Sequence, residues 1–149
     1  MYAIALASGY ATRLRPTSLS FTKHLVPLTN KSVLDGFSQI AEASIREVFV
    51  VVCLHNRDQI AEYVGNGTRF RLSVYYLVQE KPLGLAHAVS LAEGRVDGPF
   101  LVYLEDNLLQ GGVTQYARRF LDARADAVRW LEAPFSDLYE EYLDDKLLY

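Results

Sequence analysis

Short apolar runs alternate along the chain with stretches whose apolar residues recur every three or four positions. Continuous apolar runs are typical of strands that are covered on both faces, and they occupy positions 2–7, 47–53 and 100–104. Apolar residues at every second position predict another strand at 70–79. A weaker fifth strand is predicted at 127–132.

The stretches between these strands have the spacing of helices. Apolar residues three and four positions apart predict helices at 32–43, 58–64, 85–92 and 113–121. Strands that alternate with helices at short spacing indicate βαβ units. We therefore predict an α/β fold of three layers, with a mostly parallel, Rossmann-like sheet and helices on both of its faces.

Length and composition indicate a single folded domain. The chain has 149 residues, of which 50% are hydrophobic and 22% are charged, and this balance excludes an intrinsically disordered or low-complexity chain. No internal repeat or linker divides the sequence, so residues 1–149 are expected to form one domain.

Charge and cysteine content exclude several classes of function. The net charge of −3 provides no basic field for a nucleic acid, so no nucleic-acid partner is expected. Cys53 is the only cysteine, which excludes an intrachain disulfide and fits a reducing cytoplasm. The sequence contains no run of 18 apolar residues, so no membrane span is predicted. The apolar start of the chain lacks the basic segment of a signal peptide. We expect a cytoplasmic protein with no membrane contact.

Ligand sites in parallel sheets form where the strands end at their carboxyl side. After the first predicted strand comes a loop that carries Arg13, Arg15 and then Lys23, cations that are able to hold a triphosphate. This loop has neither the three glycines of a dinucleotide fingerprint nor a Walker lysine motif. Exposed loops often carry arginine and lysine, so by composition alone an ordinary surface loop stays open as an interpretation.

Two further strand ends carry residues that suit a nucleotide. Gln79 offers both a donor and an acceptor for the edge of a base, and Gly84 allows the backbone to approach a flat ring. Asp106 follows the strand at 100–104, and a carboxylate there is able to hold Mg²⁺ next to phosphates. Each of these residues is also common in loops that follow strands, so each is weak evidence when taken alone.

Taken in order, the motifs resemble those of the sugar-1-phosphate nucleotidyltransferases, and most of all the glucose-1-phosphate thymidylyltransferases. The resemblance is carried by an apolar strand followed by Thr-Arg-Leu-Arg-Pro at 12–16, Lys-His-Leu-Val-Pro at 23–27, Gln79 before Pro-Leu-Gly-Leu-Ala at 82–86, and Glu-Asp-Asn at 105–107. Two glycines of the family's first loop are replaced here, by Ser8 and Ala11.

The resemblance implies a reaction and a role for each residue. A nucleotidyl group would pass from dTTP or UTP to glucose-1-phosphate with release of pyrophosphate. Arg13 and Lys23 would be the catalytic residues, and Asp106 would hold the cofactor Mg²⁺. The nucleotide would be bound by Leu6, Ser8, Gly9, Ala11, Thr12, Arg13, Gln79 and Gly84.

The resemblance covers the first half of the family's chain. Family members continue into a second half that binds the sugar phosphate, so we expect a domain that is truncated relative to the family and that binds nucleotide better than it turns it over. A non-catalytic nucleotide-binding module, a regulatory partner of a full-length homologue and a structural remnant are the alternatives. A homo-oligomer or a partner chain is also consistent with the sequence.

Overall fold

The computed structural model describes residues 1–8, 27–28, 31–32, 36–104 and 112–123. The strands within these ranges are β1 (Tyr2–Leu6), β2 (Pro27–Leu28), β3 (Lys31–Ser32), β4 (Glu47–Cys53), β5 (Ser73–Gln79) and β6 (Phe100–Leu104). The helices are α1 (Phe37–Glu42), α2 (Arg57–Val64), α3 (Leu85–Ser90) and α4 (Thr114–Ala123), with a short 3₁₀ helix at Thr68–Phe70.

Four of the strands form one parallel sheet in the order β5-β4-β1-β6. β2 and β3 pair separately as an antiparallel ribbon. The predicted fold class, a mostly parallel sheet with helices, is therefore confirmed. β4 is the most uniformly buried strand, because its β-branched valines suit a pleated surface that is covered on both sides.

Helices cover both faces of this sheet. Since side chains alternate along a strand, Val48, Val50 and Val52 project to one face and pack with buried residues of α1 and α2. Phe49 and Val51 project to the other face, where they pack with Ala88 of α3 and with Ala92 just after that helix. The two apolar clusters make the sheet the middle layer of three.

The strand predicted at 70–79 begins later than the sequence pattern indicates. Phe70 lies in the 3₁₀ helix rather than in a strand, and β5 begins only at Ser73. Arg71 ends the 3₁₀ helix with a left-handed φ of 59°, whereas regular extended backbone has negative φ, so the apolar alternation across 70–72 does not mark a strand.

The predicted helix at 32–43 was wrong at its start. Ser32 belongs to β3, where it pairs with Pro27, and α1 begins at Phe37. The predicted strand at 127–132 lies outside the described residues. No helix in the described part of the chain is long and apolar enough to cross a membrane, and the cytoplasmic location stays a prediction.

Candidate functional site

The carboxyl ends of the four parallel strands meet at one edge of the sheet. Leu6 of β1 is in register with Leu104 of β6, and Cys53 of β4 is in register with Gln79 of β5. The chain runs from β1 outward to β4 and β5, and then returns to place β6 on the other side of β1. Such a reversal of strand order opens a crevice at the carboxyl ends, which is where ligands bind in open α/β sheets.

A hydrogen bond crosses this edge from β1 to β5. The hydroxyl of Ser8, two residues beyond the end of β1, donates to Oε1 of Gln79 at 2.5 Å. β4 lies between the two strands, so the long side chain of Gln79 reaches over the end of that strand. Gln79 is only 4% exposed, which makes it one of two buried polar side chains among the described residues, the other being Asn56.

The amide nitrogen of Gln79 has two partners on the segment that leads into α3. Nε2 donates to the backbone oxygen of Gly84 at 3.2 Å and lies 3.0 Å from Nδ1 of His87. An amide nitrogen only donates hydrogen bonds, so His87 Nδ1 is the acceptor and the imidazole hydrogen is on Nε2. Gln79 is thus held by three partners on two segments of the chain.

Gly84 has a backbone shape that favours glycine. Its φ angle is 95° and its ψ angle is 178°, a conformation that side chains rarely adopt. No described atom lies within 4 Å of the position that a Cβ would occupy. Among the described residues, the space next to Gly84 is therefore open beside the buried carboxamide of Gln79.

Leu6 and Cys53 contribute apolar packing at the same edge. The Leu6 side chain belongs to the apolar cluster on the α3 face of the sheet. Cys53 is buried, with its Sγ 3.0 Å from Nδ1 of His55, and burial raises the pKa of its thiol. A thiol that stays protonated is a poor nucleophile, so Cys53 acts as a small core residue.

Sequence reasoning missed Asn56, which is fully buried. Its Nδ2 donates to the backbone oxygen of Ala7 at 2.7 Å, and its Oδ1 accepts from the backbone nitrogen of Cys53 at 3.0 Å. It thereby joins the ends of β1 and β4. Its only signal in the sequence is its place just before a helix, which suggests a cap, yet it makes no side-chain cap bond.

An open groove of about 380 Å³ lies beside the Gln79 cluster. It is lined by Val78, Glu80, Lys81, Leu83, His87 and Leu91. His87 is the residue that the groove shares with the hydrogen-bonded cluster, so the groove and the cluster adjoin at His87.

The phosphate side of the predicted site is not described. Gly9, Ala11, Thr12, Arg13, Lys23 and Asp106 lie outside the described residues. Of the predicted residues, the structure brings Ser8, Gln79 and Gly84 together. Within the ranges that the structure describes, no three histidine, cysteine, aspartate or glutamate residues form a group that could hold a metal.

The sequence is similar to those of curated glucose-1-phosphate thymidylyltransferases. It is 41% identical over 139 residues to a glucose-1-phosphate thymidylyltransferase of Streptomyces antibioticus, which covers 92% of this chain and 39% of the relative. It is 44% identical over 129 residues to a glucose-1-phosphate thymidylyltransferase of Streptomyces griseus, with 85% and 36% covered. The chain thus spans less than two fifths of the length of these curated relatives.

A solved structure and a family model give the same relationship. The fold is similar to that of a Bacillus anthracis protein assigned as a glucose-1-phosphate thymidylyltransferase and crystallised with a sucrose. The TM-score is 0.81 at 26% identity, over 86% of this chain and 53% of that chain. The Nucleotidyl transferase family model matches residues 2–134. Because this match covers well over half of the sequence, the chain belongs to the nucleotidyl transferase family.

Proposed function

We propose that this chain forms the nucleotide-binding part of a sugar-1-phosphate nucleotidyltransferase that uses dTTP or UTP and glucose-1-phosphate. The observation that carries the proposal is the buried carboxamide of Gln79, held by Ser8, Gly84 and His87 at the carboxyl edge of a parallel sheet. The curated relatives named as glucose-1-phosphate thymidylyltransferases support the choice of substrates.

The base would lie against Gln79 and Gly84. A buried amide with fixed orientation is suited to reading the edge of a base, because its hydrogen bonds are not averaged by motion in water. The open space above Gly84 leaves room for a flat ring next to that amide. An open groove adjoins this position at His87.

The phosphates would lie toward β1 and β6. Arg13 and Lys23 follow β1 in the sequence, and Asp106 follows β6 by two residues. These two strands are neighbours in the sheet, and Leu6 pairs with Leu104 at their ends. The segment that follows β1 and the segment that follows β6 therefore begin side by side. A cationic loop and a carboxylate that leave adjacent strand ends suit a magnesium-bound triphosphate.

Each of these side chains has a distinct task in the proposed reaction. Arg13 would hold the α-phosphate and the leaving pyrophosphate, and Lys23 would neutralise the charge that develops on them. Asp106 would hold Mg²⁺, which supplies further neutralisation of phosphate charge when bound. The protein's contribution is to bring two anions together and to hold them in line.

The bond changes are those of a direct displacement. An oxygen of the sugar phosphate attacks the α-phosphorus of the nucleoside triphosphate, and the bond from that phosphorus to the bridging oxygen of pyrophosphate breaks. The attacking oxygen is already ionised, so the step needs no general base.

Two measurements test the proposal. Calorimetry with dTTP, UTP, ATP and GTP, each with and without Mg²⁺, should show binding of dTTP or UTP that Mg²⁺ strengthens. Pyrophosphate release should then appear when glucose-1-phosphate is added. Binding without release would support a non-catalytic nucleotide-binding module instead. Failure to bind any nucleoside triphosphate at millimolar concentration would overturn the proposal.

A further inference from the structure

The Ser8 hydroxyl and the Gln79 carboxamide have all three of their hydrogens engaged within the protein. A serine hydroxyl carries one hydrogen and a glutamine carboxamide carries two. The Ser8 hydrogen points to Gln79 Oε1, and the two amide hydrogens point to the backbone oxygen of Gly84 and to Nδ1 of His87. A ligand that approaches this carboxamide therefore meets lone pairs rather than hydrogens.

The orientation of the carboxamide is set by its neighbours. A backbone oxygen accepts hydrogen bonds and never donates them, so Gly84 requires the nitrogen of Gln79 on its side. Reversal of the amide would place Oε1 against the Gly84 oxygen and against the lone pair of His87 Nδ1. Because Gln79 is only 4% exposed in the unliganded chain, little water reaches the amide to compensate for the lost hydrogen bonds.

His87 completes this arrangement from α3. Gly84 alone engages one amide hydrogen, and without His87 the second hydrogen would be available to a ligand. With His87 as its acceptor, the second hydrogen is engaged as well. The residue at position 87 therefore decides whether the Gln79 carboxamide offers a ligand only an acceptor or both a donor and an acceptor.

We propose that His87 is a positioning residue that makes Gln79 a pure hydrogen-bond acceptor and so favours thymine and uracil over cytosine. This inference rests on the proposed function. Thymine and uracil carry a hydrogen on N3, which Gln79 Oε1 can accept. Cytosine has a lone pair on N3 and would oppose the lone pair of Oε1, and a site whose buried polar group is left opposed binds the wrong ligand weakly.

Ser8 has a different part in the same cluster. Its hydroxyl donates to Oε1 of Gln79 and so helps to orient that oxygen, but it engages no amide hydrogen. Removal of the hydroxyl therefore leaves both amide hydrogens of Gln79 bonded to Gly84 and His87. Ser8→Ala should weaken dTTP and dCTP alike, with the ratio of their dissociation constants kept within about twofold. His87→Leu should instead change that ratio.

The test compares dTTP with dCTP in binding to the full chain. The wild-type chain should bind dTTP at least about tenfold more tightly than dCTP, the factor that about 1.4 kcal/mol provides. His87→Leu should reduce this ratio by about fivefold or more, mainly through tighter binding of dCTP, because one amide hydrogen becomes available. His87→Asn, whose side-chain oxygen replaces the Nδ1 acceptor, should restore the ratio. Glu93→Ala, an exposed change just after α3, is the control.

A second readout needs no nucleotide. In nuclear magnetic resonance spectra of ¹⁵N-labelled chain, the two side-chain amide protons of Gln79 should both exchange slowly with solvent. In His87→Leu one of them should exchange faster, and in His87→Asn both should again be slow. Gln79→Glu, which lacks the amide, assigns the signals.

The outcomes separate this inference from the proposed function. Equal weakening of dTTP and dCTP in His87→Leu would overturn the inference, since a merely structural role affects both nucleotides alike, and the proposed function would stand. Unchanged amide exchange in His87→Leu would overturn it as well. A chain that binds neither nucleotide would overturn both the inference and the proposed function.

Discussion

The side-chain nitrogen of Asn56 lies 2.7 Å from the backbone oxygen of Ala7, although the two residues are 49 positions apart. The same carboxamide accepts a hydrogen bond from the backbone nitrogen of Cys53 through its oxygen. Asn56 thus ties the end of β1 to the end of β4 from a fully buried position. Ser8, the residue that follows Ala7, belongs to the candidate site, so the hydrogen bonds of Asn56 hold the backbone in place immediately before that site.

Asn56→Ala should lower the free energy of unfolding by about 2–6 kcal/mol, because two buried backbone groups lose their partners at about 1–3 kcal/mol each. Urea denaturation of the variant and the wild type would measure the difference. Asn66→Ala is the matched control, since the side chain of exposed Asn66 bonds to nearby Thr68 and its loss should cost less than about 1 kcal/mol. Equal losses in the two variants would contradict the role assigned to Asn56.

The role of Asn56 could not be read from the sequence because its partner is distant along the chain. An asparagine before a helix predicts a cap, and only the folded sheet shows that its amide turns to β1 instead. The bond between Ser8 and Gln79 was hidden for the same reason, since it spans an intervening strand. Sequence patterns report local periodicity, and contacts across a sheet depend on strand order.

The four strands of the parallel sheet were predictable because they depend on local patterns, whereas the short ribbon of β2 and β3 was not predicted. The β-branched run of β4 gave the position of that strand within a residue. The rule that ligands bind at the carboxyl ends of strands selected Gln79 and Gly84, and the structure places Gln79 Nε2 3.2 Å from the backbone oxygen of Gly84. The start of β5 was missed because backbone shape at Gly67 and Arg71, rather than hydrophobicity, decides where extended chain begins. The contact of these residues with a base stays a prediction.

Gly67 is expected to be intolerant of any side chain. A Cβ there would lie 2.5 Å from Val74 Cγ2 and 2.7 Å from the backbone oxygen of Leu72, and the φ angle of 84° adds strain. Gly67→Ala should cost about 2–4 kcal/mol in unfolding free energy, from overpacking together with the left-handed backbone. Gly65→Ala also places a side chain at positive φ but meets no described atom within 4 Å, so it should cost the backbone strain of about 1–3 kcal/mol without the overpacking. Thermal or urea unfolding that ranks the two variants equally would contradict this account.

Tyr76 is expected to make stability depend on alkaline pH. Its hydroxyl donates to the backbone oxygen of Gly65 at 2.7 Å, and burial raises the pKa of Tyr76 from 10.0 to about 12. Between these two values the unfolded chain loses the proton first, so the contribution of Tyr76 to stability is full below pH 10 and falls as the pH rises toward 12.

Tyr76→Phe should therefore lower stability near neutral pH by about 1 kcal/mol, through loss of one hydrogen bond, and should flatten the alkaline decline. Urea denaturation across this pH range would measure both effects. Tyr75→Phe, at an exposed tyrosine that stacks on Phe49, is the control and should retain the decline due to Tyr76. A decline of the same steepness in Tyr76→Phe would count against this prediction.

Asp106→Asn tests the proposed role of the carboxylate after β6. The change keeps the size of the side chain and removes its charge, so the strengthening of dTTP binding by Mg²⁺ should be lost while binding without the ion persists. Calorimetry with Mg²⁺ and with a chelator would measure it. Asp122→Asn on the exposed side of α4 should keep the dependence on Mg²⁺. A variant at position 106 that still responds fully to Mg²⁺ would show that another group holds the ion.

Arg13→Ala tests the phosphate side of the site. A guanidinium that binds phosphate oxygens makes charge-assisted hydrogen bonds, and their loss should weaken dTTP binding by about 1.5–3 kcal/mol. This corresponds to a dissociation constant roughly 10- to 150-fold higher. Arg13→Lys keeps the charge but loses the planar fork and should fall between the alanine variant and the wild type. Arg57→Ala, at an exposed arginine that begins α2, should leave binding unchanged. Calorimetry decides, and equal affinities for dTTP in Arg13→Ala and Arg57→Ala would remove Arg13 from the proposed site.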